Sequence, residues 1–286
     1  MENLAYHLER PATRTTSVVF ASPHSGREYT KAFMQATILN EQEIRSSEDA
    51  YVDDLFGEAP KYGAPLLTAR APRAFLDLNR APEELDQALI MGVRRVSQNP
   101  RVVSGLGVIP RVVANGRQIY RGKISLDEAH RRITYYWRPY HDMLQTLLDE
   151  SQNTFGEAIL IDCHSMPHEA LDNVGPPGAA RPEIVLGDRF GASASGDIVE
   201  QLEAAFASAG LRVARNMPFA GAYIAQHYGR PSRTQHTVQI EIDRALYMNE
   251  ITLQPNANYD AFKRLIGAII ADVVGIGSED GRMAAE

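Results

Sequence analysis

Three short polar runs follow apolar, β-rich sequence in this chain: Ser22-Pro23-His24-Ser25-Gly26, Asp162-Cys163-His164-Ser165-Met166-Pro167-His168 and Glu241-Ile242-Asp243-Arg244. Open α/β sheets bind ligands at the carboxyl ends of their strands. A histidine leaving a buried strand there is well placed to hold a metal, and His24 and His164 offer two neutral nitrogens. A hydrolytic zinc site commonly takes two histidines, one carboxylate and a water. Spacing leaves the carboxylate open: Asp49 sits in the charged stretch 46–55, and Glu28 and Glu48 compete with it on proximity. An activated water also needs a base, and Glu241 is the leading candidate. Val238, Ile240 and Ile242 flank it in its strand, and apolar shielding raises a carboxyl pKa.

Each of these signals also has an ordinary structural explanation. A histidine after a strand is more often a hydrogen-bonded scaffold residue, and a strand glutamate more often faces solvent. The acidic run 48–54 suits a helix N-terminus, where the dipole favours negative charge. Cys163 follows an apolar strand without a partner at recognisable spacing, so it reads as a packed small residue. Ser25 and Ser165 lie outside any G-x-S-x-G elbow. Gly105-Leu106-Gly107 lacks the helix-opening third glycine of a dinucleotide fingerprint. His141, His168, His227 and His236 are open between scaffold roles and support of the ligating groups, with scaffold roles favoured.

The elements that must position these residues alternate along the chain. Strands are expected at 17–21 (SVVFA), 74–78 (AFLDL), 158–162 (AILID) and 237–242 (TVQIEI). Helices are expected at 40–56, 126–150, 196–209 and 257–274, the last with a stripe of Phe262, Ile266, Ile269 and Val273. This order implies βαβ units in one α/β domain over residues 1–275, a mixed, mainly parallel sheet flanked by helices. Residues 92–123 read as loops and short strands, and 276–286 as a flexible tail. The Gly/Pro-rich stretch 171–182 is long enough to act as a lid or binding wall.

Composition excludes several classes of function. The chain has 286 residues, 44% hydrophobic and 23% charged, which suits an ordinary globular core. Its net charge of −7 argues against binding nucleic acid or a polybasic membrane attachment. The single cysteine excludes an internal disulfide framework and fits a reducing compartment. No apolar run reaches the roughly 18 residues of a membrane span. The mixed, charged stretch 1–14 lacks the apolar core of a signal peptide, so the cytoplasm is expected. A homo-oligomer is compatible with the sequence but not readable from it.

Taken in order, the motifs resemble the N-formylglutamate amidohydrolase family. They are Ser22-Pro23-His24-Ser25-Gly26, Asp49 with Val52-Asp53, Phe75-Leu76-Asp77-Leu78-Asn79-Arg80, Gly105-Leu106-Gly107 and Pro139-Tyr140-His141. The series continues with Asp162-Cys163-His164-Ser165-Met166, Gly187-Asp188, Gly221-Ala222-Tyr223-Ile224, His227-Tyr228-Gly229 and the run 239–248. Together they span about 17–250. The family is distantly similar to zinc carboxypeptidases and aspartoacylases, with a phosphorylase/hydrolase-like α/β fold. The resemblance implies one zinc ion per chain held by His24, His164 and an acidic ligand placed at Asp49, with Glu241 as general base. It implies that Asn79 and Arg80 bind a substrate carboxylate, with Arg73, Arg111 and Arg244 as further candidates. The expected partner is a small acidic N-acyl amino acid, N-formyl-L-glutamate first, as in histidine breakdown. Another N-acyl amino acid or a peptide C-terminus is the alternative substrate. A metal-free binding protein on the same fold is the alternative from another class. Ala50 and Ala222 stand where family members often carry an aromatic residue and a glycine, and both bear on pocket shape.

Overall fold

Strand β4 (Ala158–Met166) is buried at all nine positions, and its neighbour β7 (Gln235–Asp243) at all but the first. Parallel strands covered on both faces read as near-continuous apolar runs. These two also carry Asp162, His164, Glu241 and Asp243 inside the buried segment. The computed structural model describes residues 5–93, 99–172, 174 and 180–278. The remaining strands of the seven-stranded sheet are β1 (Tyr6–Glu9), β2 (Val18–Ser22), β3 (Leu66–Ala69), β5 (Ile184–Gly187) and β6 (Val213–Arg215). Their order is β1-β3-β2-β4-β7-β5-β6. The pairs β2/β4, β4/β7 and β5/β6 are parallel, and β5/β7 is antiparallel. The sheet is therefore mixed and mainly parallel, flanked by helices, in a single α/β domain.

The helices are α1 (Lys31–Ala36), α2 (Glu41–Ile44), α3 (Val52–Leu55), α4 (Pro100–Val103), α5 (Leu126–Arg132), α6 (Arg138–Phe155), α7 (Gly196–Ser208), α8 (Tyr223–Tyr228) and α9 (Tyr259–Ile276). Within the domain, contacts gather the chain into two compact units. One comprises 1–7, 23–50 and 68–143, the other 8–22, 51–67 and 144–286. The second unit holds β2 and β4–β7. There α9 packs on β2, α3 and α7, while α8 packs on β7 and β4. The stripe of Phe262, Ile266, Ile269 and Val273 is the buried face of α9. The first unit holds α1, α2, α4 and α5. Its Phe33, Phe75 and Tyr120 enclose the guanidinium of Arg132, which lies 4.0 Å from the Phe75 ring centre.

The structure corrects several expected boundaries. His164 does not leave its strand, because β4 stays paired with β7 as far as Met166. Residues 74–78 are a turn and not a strand. Ala74, Leu76, Asp77 and Leu78 are all buried, and Phe75 and Leu76 both donate to the Pro72 carbonyl. The helix expected at 40–56 is broken into α2, a 3₁₀ turn at Arg45–Ser47, and α3. Asp49 gives its amide proton to His24 instead of to its own helix, and Tyr51 enters the left-handed region at φ 68°. The helix expected at 126–150 runs as α5, a π turn at Ile133–Trp137, and α6. Strands β1, β3, β5 and β6, of three or four residues each, were not expected from the sequence. Within 92–123, α4 and a 3₁₀ turn at Ala114–Gly116 appear, and 94–98 lie outside the described residues. Residues 173 and 175–179 of the 171–182 loop and 279–286 of the expected tail lie outside them as well; Ile276 ends α9. No helix among the described residues is long and apolar enough to cross a membrane.

Ile240, fully buried in β7 beside Glu241, tests how far this pairing carries the fold. Ile240→Ala is expected to cost about 2–5 kcal/mol. In urea unfolding this appears as a lower midpoint with unchanged slope.

Candidate metal centre

The loop that follows β2 brings His24 close to Asp49. Gly26 is required in it, since a Cβ there would lie 2.1 Å from the Ala71 carbonyl oxygen. Asp49 is tied to the loop by its amide, which donates to the His24 carbonyl at 3.0 Å. The imidazole of His24 is buried, with Nδ1 at 3.5 Å from Asp49 Oδ2 and Nε2 at 2.7 Å from Asp77 Oδ1. His164, also buried, projects from β4, and its Nε2 lies 3.0 Å from Asp162 Oδ1. Ligand atoms of His24, Asp49 and His164 all lie within 4.8 Å of one another, so this buried group could bind a metal ion.

The surroundings of the histidines fit that role. A metal-bound histidine almost always has its second ring nitrogen on a carboxylate, carbonyl or water, which fixes tautomer and ring plane. Asp77 stands at that position on His24, and the Asp162 carboxylate lies 3.0 Å from the His164 ring. Asp77 also accepts from the Asn79 amide at 2.9 Å and from Arg73 Nε at 3.1 Å. Burial alone would push the Asp77 carboxyl up, but His24, Arg73 and Arg80 together hold it well below the usual carboxylate range. The competing carboxylates go elsewhere. Glu48 accepts from Arg45 Nε at 3.0 Å and from the Tyr29 hydroxyl, whose own pKa is raised by burial and by Glu48. Glu28 is exposed and accepts from Arg70 Nε at 2.6 Å.

Glu241, buried in β7, is the register partner of His164. Its Oε1 accepts from Gln239 Nε2 at 2.8 Å. The arginines are distributed between internal partners. Arg80 is buried and donates to the Leu106 and Asn79 carbonyls. Burial lowers its pKa, Asp77 and Glu84 oppose the shift, and Arg73 and Arg101 add to it. Asn79-Arg80 thus sits among further cations. Arg111 pairs with Asp86 at 2.8 Å, and Arg244 donates through Nε to Ser165 Oγ at 3.1 Å. The other histidines have scaffold contacts. His141 Nε2 lies 2.9 Å from the Leu78 carbonyl, His168 Nδ1 lies 2.7 Å from Asp243, and His227 stacks on Tyr223. His236 accepts from the Ser195 amide, and burial lowers its pKa.

Sequence reasoning gave no role to Asp77, Asp162 or Gln239. Two of them had a readable signal: Asp162 precedes His164 by two residues in a strand, and Gln239 precedes Glu241 likewise, so each pair shares a face. Asp77 had none, lying 53 residues from His24.

A family profile described as N-formylglutamate amidohydrolase matches residues 16–248. The N-formylglutamate deformylase of Pseudomonas aeruginosa is 30% identical over 240 residues, covering 82% of each chain. That of Pseudomonas putida is 29% identical over 242 residues, again covering 82% of each. The crystal structure of N-formylglutamate amidohydrolase from Ralstonia eutropha JMP134 superposes with a TM-score of 0.89 at 30% identity, covering 96% of this chain and 98% of that one. The gene product Atu2144 of Agrobacterium tumefaciens, at 17% identity and a TM-score of 0.63, shares the fold.

Cys163, between Asp162 and His164, is not a nucleophile in waiting. Burial raises its thiol well above the ordinary value and Asp162 raises it further, so the reactive thiolate is scarce at neutral pH. The folded protein is expected to leave a thiol reagent unconsumed at pH 8, while the urea-unfolded chain consumes one equivalent. Rapid labelling of the folded protein would overturn this assignment.

Proposed function

Because this chain belongs to the N-formylglutamate amidohydrolase family, we propose that it is a zinc-dependent hydrolase of N-formyl-L-glutamate or a close N-acyl acidic amino acid, releasing formate and L-glutamate. The observation that carries the metal-dependent reading is the buried His24, Asp49 and His164 group, in which Asp77 holds the second ring nitrogen of His24. Two imidazoles and one carboxylate suit zinc, a ligand set that would leave its fourth coordination position to a water. When bound there, one zinc per chain would supply Lewis-acid polarisation of the formyl oxygen and a water acidic enough to lose a proton near neutral pH.

The chain's own residues complete the reaction. Glu241 takes the proton of the attacking water on its carboxylate and returns it to the departing amine nitrogen. The amide C–N bond breaks as the C–O bond of formate forms, and the proton leaves with glutamate. Asn79 and Arg80 bind the acid end, since guanidinium meets carboxylate through parallel charge-assisted hydrogen bonds. Arg73 and Arg101 strengthen the positive potential at Arg80 that attracts a dicarboxylate. Arg244 and Arg111 hold the surrounding chain through Ser165 and Asp86. The reaction suits a step of histidine breakdown in the cytoplasm.

Formate release from N-formyl-L-glutamate, stopped by chelator and restored by zinc, is the expected outcome of the first assay. His24→Ala and His164→Ala should each lose stoichiometric zinc, read by elemental analysis. Zinc-loaded protein that releases no formate would move the substrate to another N-acyl amino acid. Full zinc retention in either variant would sink the ligand assignment.

Glu241→Gln is expected to keep its zinc and lose at least ~100-fold in turnover, the low end for general acid–base catalysis. Near-normal turnover would transfer the role of base to another carboxylate.

A further inference from the structure

Strands β4 and β7 carry the same two-residue device side by side. Side chains two apart in a strand share a face. Asp162 and His164 therefore point one way from β4, and Gln239 and Glu241 point one way from β7. The parallel register sets Asp162 opposite Gln239 and His164 opposite Glu241. On β4, Asp162 Oδ1 lies 3.0 Å from His164 Nε2. On β7, Gln239 Nε2 donates to Glu241 Oε1 at 2.8 Å, and both residues are buried.

An amide can present either its NH₂ or its oxygen, so a second contact must fix which end faces Glu241. The Ala222 amide supplies it, donating to Gln239 Oε1 at 3.3 Å. That leaves the NH₂ end for the carboxylate. The Ala222 amide reaches Gln239 because the preceding backbone lies directly on β5. Gly187 is the register partner of Gln239, and a Cβ at 187 would lie 2.7 Å from Ala220 C and Gly221 N. Only a residue without a side chain lets that backbone settle there.

We propose that Gln239 is the positioning residue of the base Glu241. Its amide, locked by the Ala222 N–H, pins one carboxylate oxygen as an acceptor and fixes the plane in which the carboxylate meets the attacking water. This inference rests on the assignment of Glu241 as base. Methionine at 239 would fill similar space in the strand without an N–H to donate to Glu241.

The test is a double-mutant cycle of Gln239→Met and Glu241→Gln, read as kcat and KM for N-formyl-L-glutamate, with zinc content and melting temperature for every variant. Misplacing a catalytic group by about 1 Å can cost on the order of 100-fold. Gln239→Met is expected to lower kcat by roughly 10- to 100-fold with KM and zinc content unchanged. The double variant should turn over no more slowly than Glu241→Gln alone, since the positioning has nothing left to position. If Gln239→Met does not fold, Gln239→Glu serves in its place. It keeps an acceptor for the Ala222 amide, and its carboxyl either repels Glu241 or shares a proton with it, so kcat should again fall. Wild-type kcat in a folded Gln239 variant, or losses that multiply in the double variant, would overturn the proposal. Wild-type turnover in Glu241→Gln would instead overturn the base assignment, and this inference with it.

Discussion

The parallel pairing of β4 with β7, buried on both faces, is the constraint from which the candidate chemistry follows. Nine consecutive register partners run from Ala158 and Gln235 to Met166 and Asp243. A polar side chain placed in such a strand loses its hydration and must find partners within the protein. Gln239 and Glu241 find theirs in each other, while Asp162 lies 3.0 Å from the His164 ring. The apolar flanks in the same strands, Ile161, Cys163, Ile240 and Ile242, are fully buried and hold the backbone register that keeps these pairs adjacent. A sheet whose interior positions are so filled positions its polar groups more firmly than a loop does.

Electrostatics around Asp77 follow the same logic in the other compact unit. A fully buried carboxylate would ordinarily take up a proton, and burial pushes Asp77 that way. Contact with His24 and the positive charges of Arg73 and Arg80 outweigh burial, so Asp77 remains ionised and an acceptor. The Asn79 amide is held by the same carboxylate. One buried anion thus contacts both a candidate metal histidine and the backbone of the Asn79-Arg80 corner. Glu48 illustrates the contrast. It lies beside Asp49 in sequence and is equally buried, yet Arg45 and Tyr29 engage it, so its charge supports the fold.

Local pattern made much of the architecture legible. Continuous apolar runs at 17–21, 158–162 and 237–242 read as strands because a buried parallel strand needs no alternation, and the period of Phe262, Ile266, Ile269 and Val273 marked α9. The same kind of reading misjudged 74–78, where the buried Ala74, Leu76 and Leu78 belong to a turn closed by Pro72. It also extended a helix through Asp49, where the backbone amide leaves the helix for the His24 carbonyl. In both places a single hydrogen-bond partner outweighed propensity, and that partner was set by the position of distant chain.

The sequence by itself determined the chemical inventory. It held two histidines after or within apolar strands, a strand-borne glutamate, an Asn-Arg pair, and the ordered motifs of one family. Those properties are local, carried by residue type and by spacing of two to four positions. Only the tertiary structure decided that Asp49, and not Glu28 or Glu48, gathers with His24 and His164, and that Asp77 backs His24 from 53 residues away. It alone set Glu241 opposite His164 and turned the Gln239 amide toward it. The reason is physical. Spacing along a chain fixes which face a side chain occupies, whereas strand register, loop closure and partner charge are settled only when distant segments are buried together.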